Sequence, residues 1–279
     1  MGIEFQLTQT PNGILRGTAF PCPREALGVV IVCHGYKGFK DWGFFPYLGE
    51  RLSEKFHAIT FNFTHNGIGE NLLEFTELER FARNTYSREL MDLAAVLEAV
   101  RNGQTPLGPT GGQPVFLLGH SRGAGVCLIH ALDHPADTSG VISWNGITNV
   151  DLFSDQEKAE MKQTGRTHIL NGRTKQRMPL DVEILEDLER NAERFDILSR
   201  IGCLVPPAVL IQGEKDGAHL RRGSSELTKL RPDIPWRQVP GGNHTFGAVH
   251  PFQGTTPPLE EAIRLTLEWL ENQTQNRRR

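Results

Sequence analysis

Four cysteines, Cys22, Cys33, Cys127 and Cys203, are scattered through 279 residues with no Cys-x-x-Cys pair. That spacing argues against a disulfide framework or a dithiol redox site and leaves free thiols in a reducing cytoplasm as the expectation. No apolar run approaches the roughly 18 residues that a membrane span needs, so no membrane association is expected. The start, Met1-Gly2-Ile3-Glu4, has no basic stretch followed by an apolar one, and no signal peptide is expected. None of the ten histidines falls in a His-Glu-x-x-His or similar ligand spacing, and no phosphate loop ending in Gly-Lys-Ser/Thr occurs. The expectation is therefore no metal and no nucleotide cofactor. Charge is nearly balanced, 30 Lys plus Arg against 33 Asp plus Glu, for a net charge of -3. Such a balance offers nothing to attract nucleic acid, and Arg277-Arg278-Arg279 reads as a solvated terminus.

What the chain does have is a serine between two glycines at a turn. Pro114-Val115-Phe116-Leu117-Leu118 runs into Gly119-His120-Ser121-Arg122-Gly123, and an apolar helix follows from Ala124 to Leu132. Strand, Gly-x-Ser-x-Gly and helix in that order are the pattern of a nucleophile elbow. The serine sits on a strained backbone, and the flanking glycines let strand and helix approach closely. The chain reads as a serine hydrolase.

Two further segments fit that reading. Upstream, Gly28-Val29-Val30-Ile31-Val32-Cys33 suits a strand buried on both faces and ends in His34-Gly35-Tyr36-Lys37-Gly38. Parallel strands present their carboxyl ends together, so the backbone N–H groups of Tyr36 and Arg122 are expected to converge on one oxygen as an oxyanion hole. Downstream, Ala208-Val209-Leu210-Ile211-Gln212 is another buried-type strand ahead of Gly213-Glu214-Lys215-Asp216, and Trp236–Pro240 leads to Gly241-Gly242-Asn243-His244. Asp216 is expected to hold one ring nitrogen of His244 while the other takes the Ser121 proton. Rivals are less apt. Asp233 lies in an apparent surface turn, Arg231-Pro232-Asp233-Ile234-Pro235, and Glu214 belongs to the turn itself. His219 is too close in sequence to Asp216, and His250 lies further along an irregular stretch. His120 is the variable elbow position, expected to pack beside the strand, and His130 and His134 fall on or just after the elbow helix.

The elbow, together with His34–Trp42, Asn62-Phe63-Thr64-His65-Asn66-Gly67 and Asn243-His244-Thr245-Phe246-Gly247, resembles the α/β-hydrolase superfamily in its dienelactone-hydrolase-like and serine-esterase branch. The resemblance spans most of the chain. It implies an α/β-hydrolase fold: a mostly parallel central sheet with helices on both faces and a small cap insertion. Dienelactone hydrolases proper use a cysteine nucleophile; Ser121 stands at that position here, so the resemblance implies an ester hydrolase rather than a lactonase.

The rest of the pattern agrees with one α/β domain. Ile3–Thr8 and Ile14–Phe20 alternate as a hairpin around Pro11-Asn12-Gly13. Helices are expected over Phe44–Phe56, Tyr86–Val100 and Leu259–Leu270, the last introduced by Pro257-Pro258, and strands over Ala58–Phe63 and Gly140–Trp144. Between Trp144 and Leu204 lie roughly 60 residues, against a usual connection of 2–6. Residues 1–144 and 204–279 are thus expected to form the core, with 145–203 a cap folding over Ser121. Within it, Thr167–Leu170 and Arg173–Met178 read as a hairpin on a type I′ turn at Asn171-Gly172, followed by a helix over Leu180–Arg190.

The expected function is cleavage of carboxylic esters through a Ser121-His244-Asp216 triad and an acyl-enzyme, with turnover rising as the imidazole loses its proton. A peptidase or acyltransferase using the same triad is the alternative, and a non-catalytic binding module a third reading. The partner is a small-molecule ester. His34, His65, Trp144 and Met178 are candidates for the substrate pocket. The acyl and alcohol groups and the oligomeric state are left open by the sequence.

Overall fold

The computed structural model describes residues 2–8, 10–71 and 74–278; Met1 and Arg279, at the ends considered above, lie outside the described residues. Among the described residues ten strands form two sheets: β1 (Ile3–Leu7), β2 (Leu15–Phe20), β3 (Val29–Cys33), β4 (His57–Asn62), β5 (Val115–His120), β6 (Gly140–Trp144), β7 (Arg166–Leu170), β8 (Arg177–Asp181), β9 (Ala208–Gly213) and β10 (Trp236–Val239). Eight of them make one sheet in the order β1-β2-β4-β3-β5-β6-β9-β10. Its first two pairings are antiparallel and the remaining five parallel.

The interleaved helices are α1 (Phe45–Leu52), α2 (Leu78–Phe81), α3 (Tyr86–Arg101), α4 (Arg122–Asp133), α5 (Asp155–Thr164), α6 (Glu183–Arg190), α7 (Ala192–Phe195), α8 (Ile197–Arg200), α9 (Ala218–Leu230) and α10 (Pro257–Arg278). The central strands carry apolar side chains on both faces because both faces are covered. On β3, Val29, Ile31 and Cys33 join the core beneath α3 and α4, while Val30 and Val32 join the core beneath α1 and α10. Two hydrophobic layers thus sandwich the sheet, and its carboxyl edge is left to the loops. The Pro257-Pro258 signal sits inside the first turn of α10, where missing N–H donors cost nothing, and the helix runs eight residues beyond the expected end.

Between β6 and β9 the chain builds α5, the two-stranded sheet β7-β8, and α6 to α8. These elements bury Met161, Met178, Leu180, Ile184 and Leu185 against Phe39, Ile68 and Phe75 from the loops after β3 and β4 and against Phe81 of α2. An ion pair from Arg166 to Glu79 ties the insertion to α2, while a second from Arg166 to Asp181 joins β7 to β8. The hairpin is present but its turn is not the expected two-residue one. Leu170 pairs with Arg177, leaving six residues between the strands, and Asn171 Oδ1 accepts from the N–H groups of Arg173 and Thr174. Asn171 thereby closes an Asx turn of its own instead of occupying a type I′ site. Because β8 extends to Asp181, the helix expected from Leu180 begins at Glu183. Among the described residues no helix is long and apolar enough to cross a membrane.

Candidate active site

Ser121 stands at the end of β5 with φ 56° and ψ -120°, a conformation that costs any residue with a Cβ. Both flanking glycines are required by contact. A Cβ on Gly119 would lie 2.4 Å from the Ala124 backbone, and one on Gly123 would lie 2.4 Å from the Cys33 carbonyl oxygen. β5 is flanked by β3 and β6, so three strand ends and their loops meet here. The carboxyl end of β9 brings Asp216, and the loop after β10 brings His244.

The structure places these three side chains in one hydrogen-bonded line. Ser121 Oγ donates to His244 Nε2 at 3.0 Å, and His244 Nδ1 donates to Asp216 Oδ1 at 2.7 Å. Asp216 has no exposed side-chain surface, while His244 is 41% exposed, so the line runs from the interior out to the surface at the serine. Burial works to raise the Asp216 pKa, but hydrogen bonds from His244, Gln212 Nε2 and the Gly217 N–H outweigh it and hold the carboxylate below its usual range. Of the rivals, Asp233 pairs with Arg231 on the surface and Glu214 accepts from the Gly241 N–H. The Nδ1 of His250 accepts from the Gly43 N–H.

Ser121 opens on a cleft of about 150 Å³, walled by Gly35, Tyr36, Lys37, Trp42, Phe45, His120, His244 and Thr245. A second cleft of about 410 Å³ shares Tyr36 and Lys37 with it and is completed by Leu152, Phe153, Glu157, His168 and Ile169 of the insertion. The Tyr36 turn follows β3, the strand beside β5, and Arg122 opens α4. Neither the Tyr36 nor the Arg122 amide N–H has an acceptor among the described residues, as expected for Arg122 in the first turn of a helix.

The four pocket candidates lie elsewhere. Trp144 is 0% exposed, packed on Phe44 and Phe246 with its Nε1 donating to Thr266; strand alternation turns it onto the sheet face covered by α1 and α10, where it is a core residue. Met178 points into the core beneath the insertion, from the inner side of β8. His65 lies away from either cleft, bonded to Thr64, and burial together with Arg88, Arg80 and Arg83 lowers its pKa to about 4. His34 is buried under the turn. Its Nδ1 donates to the Gly35 carbonyl and its Nε2 accepts from the Phe63 N–H and Asn66 Nδ2, which ties the Tyr36 turn to the end of β4. Burial lowers its pKa to about 4, so the ring stays neutral.

Two positions were not legible as site residues. His120, expected to pack beside the strand, is buried; its Nε2 donates to the His244 carbonyl at 2.7 Å, and burial with the nearby His244 lowers its pKa to about 3. Asn145, with φ 45° just past β6, donates to the same carbonyl at 2.9 Å and accepts from the Gly213 N–H. A left-handed asparagine directly after a buried strand was the available signal.

Residues 24–168, just over half of the chain, match the hydrolase family described as serine aminopeptidase, S33. The chain belongs to this family. It is an α/β serine hydrolase, and as an S33 member it carries the superfamily's fold over nearly its whole length. The ferulic acid complex of Est1E from Butyrivibrio proteoclasticus is 16% identical and covers 93% of this chain and 95% of its own, with a TM-score of 0.70. Monoacylglycerol lipase from Paleococcus ferrophilus is 18% identical over 93% of this chain and 99% of its own (TM-score 0.66). Dienelactone hydrolase from Anabaena variabilis is 15% identical over 97% and 98% (TM-score 0.63). At these identities the likeness is one of fold. No curated protein sequence matches the S33 chain.

Proposed function

We propose that this S33 protein hydrolyses carboxylic esters, with Ser121 as nucleophile, His244 as general base and acid, and Asp216 as the group that orients the imidazole. The observation that carries the reading is the unbroken Ser121–His244–Asp216 line opening on a cleft. Ser121 Oγ attacks the carbonyl carbon as its proton passes to His244 Nε2. The carbonyl π pair becomes an oxyanion facing the Tyr36 and Arg122 amides, at the positive end of α4. Collapse breaks the C–O bond to the alcohol, which leaves with the proton from His244. Water then repeats the sequence on the acyl-enzyme and releases the acid.

In this reading residues 145–203 act as the cap. The 150 Å³ cleft is below the usual size of a ligand pocket, and the cap-side cleft of about 410 Å³ supplies the missing room. A short acyl group against Trp42 and Phe45, with the larger part of the ester against Leu152, Phe153 and Ile169, uses both.

The family description favours a second reading, an aminopeptidase with the same catalytic line. Such an enzyme needs an anion for the substrate's α-ammonium. Among the described residues the cleft at Ser121 is walled by a lysine and no carboxylate, and Glu157 in the neighbouring cleft is engaged by the Ser154 N–H and hydroxyl. The ester reading is therefore preferred.

A p-nitrophenyl ester series from acetate to decanoate, run beside aminoacyl p-nitroanilides on wild type and Ser121→Ala, tests both. Ester turnover that disappears in Ser121→Ala is expected. Anilide turnover without ester turnover selects the peptidase, and equal ester turnover in both proteins overturns the assignment of Ser121.

A further inference from the structure

Arg122, the residue after the serine, has only 1% of its side chain exposed. Its Nε donates to Glu89 Oε2 at 2.8 Å and its Nη2 to the Asn84 carbonyl at 3.1 Å, while Asn84 Nδ2 donates to Glu89 Oε1 at 3.0 Å. The guanidinium carbon lies 3.9 Å from the ring centroid of Tyr86 and 5.2 Å from that of Tyr36. Tyr36 in turn stacks on Phe81, with centroids 5.4 Å apart, and meets Phe153 of the insertion edge-on. A column therefore runs Phe81, Tyr36, Arg122, Tyr86, with Glu89 hydrogen-bonded to its cation.

Core stability does not account for this arrangement. A buried ion pair recovers little more than its desolvation cost, and apolar side chains of similar volume fill such a space as well or better. Tyr36 Oη, Tyr86 Oη and Arg122 Nη1 also find no partner among the described residues, so the two tyrosines contribute their ring faces rather than hydroxyl bonds. What the column does supply is a fixed separation between two chain segments. Tyr36 lies in the turn after β3 and Arg122 at the start of α4. Two amides that share one oxygen must each sit about 2.7–3.1 Å from it.

We infer that the Arg122 side chain is a positioning group, held by Glu89 and clamped on the face of Tyr36, that sets the spacing of the two backbone amides around the oxyanion. The inference rests on the proposed ester hydrolase reading and on Tyr36 and Arg122 as the oxyanion donors. Arg122 in this role touches no substrate; it acts through Tyr36 and through its own peptide.

The test uses p-nitrophenyl butyrate turnover and inhibition by an aryl trifluoromethyl ketone, whose serine adduct places an oxyanion in the hole. The variants are Tyr36→Leu, Tyr36→Phe, Arg122→Lys and the paired apolar replacement Arg122→Met with Glu89→Leu, each checked for native circular dichroism. The apolar pair and Tyr36→Leu are expected to lose about 10- to 100-fold in kcat with KM little changed, and to weaken the ketone by a similar factor. Combining them is expected to cost little more than either alone, because both remove the same contact. Tyr36→Phe, which keeps the ring, is expected to restore most of the activity that Tyr36→Leu loses. Should the apolar pair not fold, Arg122→Lys, which keeps the charge but not the flat face, carries the test with the same expected split. Wild-type kcat and ketone affinity in a folded Arg122 variant, or losses that add fully with Tyr36→Leu, would overturn the inference. Ser121→Ala separates the two levels: if it is inactive while the Arg122 variants behave as wild type, only the inference falls, and if it retains turnover the underlying reading falls with it.

Discussion

Asn145 Nδ2 donates to the backbone carbonyl of His244 at 2.9 Å, joining the end of β6 to the loop that carries the imidazole. Asn145 Oδ1 meanwhile accepts from the Gly213 N–H at the end of β9, so one amide side chain ties together two of the strand ends that frame the site. His120 reaches the same His244 carbonyl from β5.

Asn145→Gly keeps the left-handed backbone and removes the amide, whereas Asn145→Ala also forces a Cβ-bearing residue without hydrogen-bonding capacity into φ 45°. Glycine is expected to lower kcat/KM about 10- to 100-fold through a loosened His244 loop, with alanine further destabilised by about 1–2 kcal/mol. Steady-state kinetics and thermal melts of the two variants separate the hydrogen bonds from the backbone requirement; equal kinetics to wild type in the glycine variant would leave His120 as a sufficient tether.

Asp216→Asn preserves size while reversing one hydrogen bond. The amide donates toward His244 Nδ1, which pushes the ring proton to Nε2 and removes the acceptor for Ser121. A fall in kcat of about 10³- to 10⁴-fold with little change in KM is expected. A loss under tenfold would mean that something other than Asp216 orients the ring.

Acid should destabilise the fold as the pH falls from 7 toward 5. Burial lowers His34 to about 4 and His120 to about 3, so between those values and the unfolded pKa the unfolded chain binds more protons and stability rises with pH. Asp92 works the other way. Burial raises it to about 6 against hydrogen bonds from Asn12 and Thr64, so the fold binds the extra proton and loses stability as pH rises through that range. Burial lowers His65 and His130 to about 4 as well, so four histidines outweigh one aspartate, and lowering the pH from 7 to 5 is expected to cost on the order of a few kcal/mol. Urea denaturation across that range measures it; unchanged or greater stability at pH 5 would contradict the neutral, buried state of these rings.

Gly119→Ala and Gly123→Ala place a methyl 2.4 Å from backbone atoms, which no side-chain rotation relieves. Each is expected to cost more than the usual 1–3 kcal/mol of overpacking and to abolish activity together with stability. By contrast Gly165→Ala meets nothing within 4 Å, and its left-handed φ of 83° alone should limit the cost to about 1 kcal/mol. Melting temperatures of the three variants, with soluble yield for the first two, give the comparison.

Much of this protein is written locally in its chain. The elbow, its strained serine and its glycines follow from five residues between an apolar strand and an apolar helix, because close approach of strand to helix is decided by the absence of side chains at Gly119 and Gly123. The parallel core follows from uninterrupted apolar runs such as Val29–Cys33, since only a strand covered on both faces tolerates them. The order serine, aspartate, histidine was likewise readable, each residue following a strand signal. The sequence could not say what meets what across long separations. That His120 and Asn145 share the His244 carbonyl, that Trp144 turns into the core, and that Arg122 lies between Tyr36 and Tyr86 all depend on strand order and on packing between segments far apart in the chain. The hairpin of the insertion shows the same limit at short range. Asn171-Gly172 carries the chemistry of a tight turn, yet pairing continues to Arg177 because β8 is placed by the burial of Met178 and Leu180, and that tertiary contact outweighs the local preference of two residues.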